Sequence, residues 1–116
     1  MAYDADLAER VRERMAAVAG VSEKKMFGGI AFLTHGNMTV GVYGDGLIAR
    51  IEPGTIDSVL AAEPGVRPFD MGGRQMRGWV LVASENLSDD DELDRWVGWC
   101  RSYVATLPAK KGSAPA

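Results

Sequence analysis

The stretch that decides the fold is Lys24-Lys25-Met26-Phe27-Gly28-Gly29-Ile30-Ala31-Phe32, in which a pair of glycines joins two apolar runs. Another apolar run follows the polar turn sequence His35-Gly36-Asn37. Because glycine and asparagine adopt the backbone conformations that tight reversals need, the chain is predicted to fold back twice within a few residues. This stretch therefore predicts the first corner of an antiparallel sheet.

Short apolar runs broken by Gly, Asn and Asp extend outward from this corner and predict a meander of four strands. Their predicted limits are residues 22–27, 30–34, 38–43 and 47–52. Residues 76–83 are predicted as a further strand, central or covered on both faces because both of its sides carry apolar residues. Residues 66–74 contain Pro68 and a second glycine pair, and are predicted as an irregular extended piece or an edge strand.

The segments on either side of this meander carry apolar residues at helical spacing. Residues 4–18 are predicted as an amphipathic helix with Asp4 or Asp6 as its N-cap. A short helix capped by Thr55 or Asp57 is predicted after the fourth strand. The resulting order of elements is α-β-β-β-β-α-β-α.

The longest apolar stripe in the chain predicts the last helix. Ser88 with Asp91 three residues later resembles a capping box, and the acidic residues around them favour the positive end of a helix dipole. Pro108 predicts the end of the helix and of a single domain covering residues 1–108. Residues 109–116 have nothing to bury and are predicted as a disordered tail. The stripe consists of Leu93, Trp96, Val97, Cys100, Tyr103, Val104 and Leu107.

Length and charge limit the classes of function. A chain of 116 residues is one ordinary domain, and its net charge of −3 argues against direct nucleic acid binding. No apolar run approaches the length of a membrane span, so no membrane association is expected. A single cysteine and the lack of a secretion signal at the start predict a cytoplasmic protein.

Candidate catalytic and metal-binding residues are few. His35, the only histidine, falls in a predicted turn, where a polar side chain normally faces water. Cys100 is a nucleophile only if a base or a positive field lowers its pKa, whereas its apolar neighbours at helical spacing favour a buried structural role. These two residues do not make a recognisable metal site. We expect neither an enzyme nor a cofactor.

The two glycine-rich turns are a candidate anion-binding site, because backbone amides freed by glycine can surround an anion. Neither turn has the spacing of a phosphate loop or of a dinucleotide fingerprint. The simpler interpretation, tight turns flanked by solvated charges, is favoured. The candidate residues are Lys25, Gly28, Gly29, Gly72, Gly73, Arg74 and Arg77.

Several short motifs together resemble the N-terminal domain of the TfoX/Sxy proteins over nearly the whole chain. The most specific are the Met-Phe-Gly-Gly box at residues 26–29 and Gly36-Asn37-Met38 at the following turn. The others are Asp45-Gly46-Leu47 with Arg50, Pro68-Phe69, Met76-Arg77-Gly78-Trp79-Val80 and Leu93 with Trp96-Val97.

The resemblance implies an α+β fold in two layers, with a curved antiparallel sheet of about five strands and the N-terminal and C-terminal helices packed on it. TfoX/Sxy proteins are bacterial regulators of natural competence, thought to act with a cyclic-AMP-dependent transcription activator. Full-length members carry a second, C-terminal domain, and we expect this chain to be a stand-alone copy of the first. The resemblance carries over no catalytic residues.

Two functions of different class follow as expectations. The first is a non-enzymatic regulatory or protein-interaction module that binds a protein partner, or a second copy of itself as a homodimer, through a sheet edge or a surface of methionine and tryptophan. Trp79 and Trp99 are its candidate aromatic contacts, since Trp99 lies off the apolar stripe of the last helix. The alternative is a small-ligand or anion-binding domain that uses the glycine turns and the nearby arginines.

Overall fold

The computed structural model describes residues 3–17, 19–26, 28–71 and 74–108. Helices and strands alternate in the order α-β-β-β-β-α-β-β-α within this part of the chain. The helices are α1 Ala5–Met15, α2 Ile56–Ala62 and α3 Asp90–Val104. The strands are β1 Val21–Met26, β2 Gly29–Thr34, β3 Asn37–Tyr43, β4 Gly46–Arg50, β5 Val66–Met71 and β6 Arg74–Val82.

The strands form one six-stranded sheet in the order β1-β2-β3-β4-β6-β5, and every neighbouring pair is antiparallel. The α+β prediction is thus confirmed, and the sheet is one strand larger than the expected five. The extra strand is β5, which comes from the segment predicted as an extended piece or an edge strand and lies at the edge. β6 lies between β4 and β5, as its apolar pattern predicted.

The first corner of the sheet forms where the glycine pair was predicted to place it. Gly28 has a φ of +79°, a conformation that residues with a side chain rarely adopt. Gly29 meets the opposite strand so closely that a Cβ atom there would overlap the carbonyl oxygen of Val42. The first glycine therefore turns the chain, and the second lets β2 approach β3.

The core lies between one face of the sheet and the three helices. Side chains from α1 and α3, together with Val59 of α2, form a single apolar cluster with alternate residues of β2, β3, β4, β5 and β6. Trp96 of α3 and Phe32 of β2 are the largest side chains in it that are fully buried. The helices thus form one layer and the sheet the other.

Both long helices start at an aspartate, although not always at the predicted residue. The Asp4 carboxylate accepts hydrogen bonds from the backbone amides of Asp6 and Leu7, at 2.9 and 3.1 Å. For α3 the predicted cap at Ser88 is wrong, because Asp89 accepts from the Asp91 amide at 2.9 Å. The Ser88 hydroxyl instead points back to the preceding turn. α1 ends at Met15, three residues before its predicted end.

Candidate functional site

The two faces of the sheet are built from alternate residues of the same strands, except where the β2–β3 register shifts between Phe32 and Leu33. This shift places Met38 opposite Leu33 and on the same face as Gly41. One set packs against the helices and forms the core cluster. The other set lies outside that cluster, and none of the described helices packs on it; we call it the open face. The open face carries Ala31 and Leu33 of β2, Met38, Gly41 and Tyr43 of β3, Ile48 and Arg50 of β4, Trp79 and Leu81 of β6, and Arg67 and Phe69 of β5.

Strand register aligns six residues of the open face into a single line across the sheet. Each residue in the line pairs directly with the next, from one edge strand to the other. We call this line the central row. A cationic residue stands at each end of the central row, and the four residues between them are apolar or, in one case, a glycine. The central row is Lys24, Ala31, Gly41, Ile48, Leu81 and Arg67.

The open face is concave. Tyr43 of β3 and Phe69 of β5 meet edge to face, with their ring centroids 5.9 Å apart, although β4 and β6 lie between their strands. Neighbouring strands are spaced by about 4.8 Å, so a flat sheet would hold these two rings much farther apart. The open face must therefore curl inward, and Ala31 and Ile48 on its floor are fully buried even though no described helix covers them.

Two irregularities near the β5–β6 hairpin accompany this curl. Gly78 has a φ of +87° in the middle of β6, and its carbonyl accepts a hydrogen bond from the Ile51 amide at 2.9 Å. The β5–β6 register also shifts between Pro68 and Asp70. Irregularities of this kind bend a strand and increase its twist, so they account for the position of Phe69 over the open face.

A cleft of about 620 Å³ opens at one end of this face, between Tyr43 and Arg67. Leu81 and Gly46 belong to its lining, and a Cβ atom on Gly46 would crowd the Leu81 side chain at 3.1 Å. Three polar side chains also line it: Asp45, Ser84 and Glu85. The cleft has the volume of a small-molecule site, about 300–1,000 Å³, and it brings together a phenol, a guanidinium and two carboxylates.

Arg50 is held in place on the open face. Its guanidinium carbon lies 5.2 Å from the centre of the Trp79 ring, and its Nη1 donates to the Met38 carbonyl at 3.3 Å. Both Arg50 and Trp79 are half-buried. A stacked guanidinium keeps other N–H groups available, so Arg50 can also donate to a carboxylate or a carbonyl of a partner.

Charged groups are arranged differently on the helical layer. Four arginines there form ion pairs: Arg10 with Asp90, Arg12 with Glu9 and Glu23, Arg14 with Asp90 and Asp94, and Arg95 with Glu63 and Glu92. Hydrogen bonds from Arg12 lower the pKa of Glu23, and those from Arg10 lower the pKa of Asp90. By contrast, Lys24, Lys25 and Arg67 of the strands form no ion pair within the described part of the chain.

The two residues considered for chemistry are placed as their sequence context predicts. His35 is exposed in the β2–β3 turn, with a φ of +49°. Cys100 is fully buried in the core, and this burial raises the pKa of its thiol to about 12. A thiol with so high a pKa is a poor nucleophile at neutral pH. Over the described ranges, no group of His, Cys, Asp and Glu side chains is arranged to hold a metal ion.

The candidate anion-binding residues fall at two separate corners of the sheet. Lys25, Gly28 and Gly29 lie at the β1–β2 corner, whereas the backbones of Arg74 and Arg77 belong to β6, with β3 and β4 between. Gly72, Gly73 and the side chains of Arg74 and Arg77 lie outside the described residues. The anion site therefore stays a prediction.

The two tryptophans considered as partner contacts lie on opposite layers. Trp79 is half-buried on the open face, where it stacks with Arg50. Trp99 belongs to α3 on the helical layer and stacks on Trp96, with ring centroids 5.4 Å apart. Sequence reasoning missed Tyr43, Phe69 and Arg67 as members of the same surface. Strand alternation marks Tyr43 as facing away from Val40 and Val42, but only the strand order brings it to Phe69.

Comparison with known proteins gives one clear finding. Residues 13–102, more than three quarters of the chain, match the family model described as the TfoX N-terminal domain. A search of the curated proteins found none that matches. No described helix is both long enough and apolar enough to cross a membrane.

Proposed function

Because the chain belongs to the family of TfoX N-terminal domains, we propose that it is a non-enzymatic protein-interaction module whose contact surface is the open face of its sheet. The observation that carries this proposal is the concave, apolar and aromatic open face, which no helix in the described part of the chain covers. A surface of this kind is typical of a protein-binding site.

The residues of the open face have the composition of an interface. Tyr, Trp, Met and Arg are enriched in the buried centres of protein interfaces, and the face offers Tyr43, Trp79, Met38 and Arg50. Tyr43 is the most accessible of these, with 44% of its surface exposed. Arg50 and Trp79 are already held in one arrangement, so a partner loses little side-chain entropy in contacting them.

The edges of the sheet are less suited to binding than its face. β1 exposes Lys24 and Lys25, and edge lysines discourage the pairing of another strand. At the other edge, Pro68 in β5 has no backbone N–H to donate to an added strand. Of the two surfaces considered from the sequence, the sheet edge and the methionine and tryptophan surface, the second is therefore the better supported.

Membership of this family supports a biological role, which is part of the same proposal. We propose that the chain acts in the bacterial cytoplasm and regulates competence or a related response by contacting another protein. A second copy of the chain would compete for the same surface, and a dimer that Leu81→Ser dissociates would identify it.

A matched pair of variants tests whether the open face binds. Leu81→Ser places a hydroxyl on the open face, and Leu60→Ser does the same on the half-buried surface of α2 in the helical layer. We expect a partner captured from the native cell by the immobilised protein to be lost with Leu81→Ser and retained with Leu60→Ser. Melting temperatures of both variants show that each is folded. Equal retention by both would contradict the proposal.

A further inference from the structure

We infer that the open face receives an acidic protein segment with an apolar centre, which crosses the strands along the central row. This inference rests on the proposed function, since it names the chemistry of the partner for the same surface. It is carried by the register that places one cation at each end of the central row and apolar residues between them.

The cations of the open face have no acidic partner within the described residues. Lys24 and Arg67 are exposed at opposite edges of the sheet and form no ion pair there, while Arg50 is stacked on Trp79. Four arginines of the helical layer differ, because Arg10, Arg12, Arg14 and Arg95 are paired with carboxylates of their own chain. Lys24, Arg50 and Arg67 therefore keep N–H donors available for the carboxylates of a partner on the open face.

The spacing of these cations sets the length of the segment. Lys24 and Arg67 are five strand-to-strand steps apart, which is about 24 Å for a flat sheet and less for a curved one. An extended chain advances about 3.4 Å per residue, so roughly seven residues separate the two acidic groups of the segment. Between the cations, the Met38 side chain lies over Gly41, 3.1 Å from where a Cβ atom would stand. The apolar side chains of the segment therefore contact the half-buried side chains of Leu33, Met38 and Leu81 rather than the buried floor beneath them.

Charge argues against the two other occupants. A second copy of the chain placed face to face would bring Lys24, Arg50 and Arg67 of each face toward the same three cations of the other, which is unfavourable. The described carboxylates near this face, Asp45 and Glu85, line the cleft beside Arg67. Single-stranded nucleic acid would meet Asp45 and Glu85 at the cleft, where like charges repel the phosphates. A protein segment carries its carboxylates only at its two ends, so it brings a single acidic end to Arg67 beside Asp45 and Glu85, whereas nucleic acid brings a phosphate at every nucleotide.

The probe for this inference is a nine-residue peptide with two glutamates at each end and alternating leucine and threonine between them. One comparison peptide has lysine in place of each glutamate, and a second has the same composition as the probe with the glutamates moved to its centre. Binding is followed by the backbone amide signals of the intact protein. We expect the probe alone to shift the signals of Ala31, Gly41 and Ile48, with an affinity that falls as salt is added.

Two adjacent lysines provide the matched control. Lys24 pairs with Ala31 on the open face, whereas Lys25 pairs with Ile30, whose side chain lies in the core on the helical side. We expect Lys24→Glu and Arg67→Glu each to weaken probe binding by about five-fold, and Lys25→Glu to leave it unchanged. Both lysines are exposed on the same edge strand, so both variants are expected to fold.

Each outcome separates this inference from the function on which it rests. Equal binding of the acidic and lysine peptides, or no binding of either, overturns the inference. The proposed function is still supported in that case if Leu81→Ser loses the partner captured from the native cell. A dimer that Leu81→Ser dissociates shows that a second copy occupies the face and also overturns it. Binding of a short single-stranded oligonucleotide that Lys24→Glu abolishes overturns it in favour of nucleic acid. A weaker effect of Lys24→Glu than of Lys25→Glu overturns it as well.

Discussion

The two faces of this sheet come from the same strands, but helices cover one of them and no described helix covers the other. On the helical side, apolar side chains meet α1, α2 and α3, and the arginines above them are paired with carboxylates. On the open side, apolar and aromatic side chains curl toward one another, and the cations at the edges are unmatched within the described chain. The comparison teaches that burial alone does not distinguish a core from a binding surface, because Ile48 is as buried as Phe32.

Neighbouring residues of β2 allow the most direct test of this difference. Phe32 is fully buried among the helices, whereas Leu33 faces the open side and is half-buried. We expect Phe32→Ala to lower the free energy of unfolding by about 4 kcal/mol, and Leu33→Ala by about 1 kcal/mol or less. Urea unfolding of both variants measures the two values. Similar losses would show that the open face is a second core.

Gly29 is a position at which a larger side chain should strongly lower the free energy of unfolding. A Cβ atom there would overlap the Val42 carbonyl oxygen, so Gly29→Val must push β2 away from β3. We expect a loss of about 3 kcal/mol, measured by thermal or urea unfolding, before any loss of binding. Gly44→Ala is the matched control, because nothing lies within 4 Å of its added Cβ and only its φ of +60° opposes the change. A Gly29→Val protein with an unchanged melting temperature that has lost its partner would assign Gly29 to binding instead.

The smallest expected effect concerns the thiol on the helical side. Burial raises the pKa of Cys100 from 9.0 to about 12, so the folded protein keeps a proton that the unfolded chain releases. The retained proton of the Cys100 thiol therefore contributes fully to the free energy of unfolding below pH 9, and this contribution is lost as the pH rises from 9 toward 12. We expect the stability difference between the protein and Cys100→Ala to shrink over that range in urea unfolding at several pH values. A difference that stays constant would mean that the folded state opens enough to hydrate the thiol.

Most of the fold could be predicted because its signals are local. The spacing of Leu7, Val11 and Met15 is enough to predict α1, and the glycine pair at the first corner predicts the start of the meander. The cap of α3 was placed at the wrong residue because Ser88 and Asp89 are both good caps and only the tertiary path of the chain selects between them. The limits of the other strands differ from the prediction by at most two residues, and β5 ends at Met71, three residues before the predicted limit.

The site was harder to predict because it depends on contacts between distant residues. Alternation places Ile48 and Arg50 on the side opposite to Leu47 and Ala49, but nothing in the sequence sets the pairing of β4 with β6. The left-handed backbone conformation of Gly78 could not be predicted from the sequence either, since it accompanies the hydrogen bond with Ile51 across the sheet. The concave shape, and with it the meeting of Tyr43 and Phe69, therefore required the structure.

The pairing of the first helix with the last has a consequence for how the protein is made. Arg10 and Arg14 reach Asp90 and Asp94, about 80 positions later in the chain, whereas the apolar side of α1 also packs on β2 and β3. On a ribosome, α1 can meet β2 and β3 soon after they emerge, but its contacts with α3 must wait until the last helix has been synthesised. We therefore expect the domain to complete its folding only once α3 has left the ribosome and can meet α1.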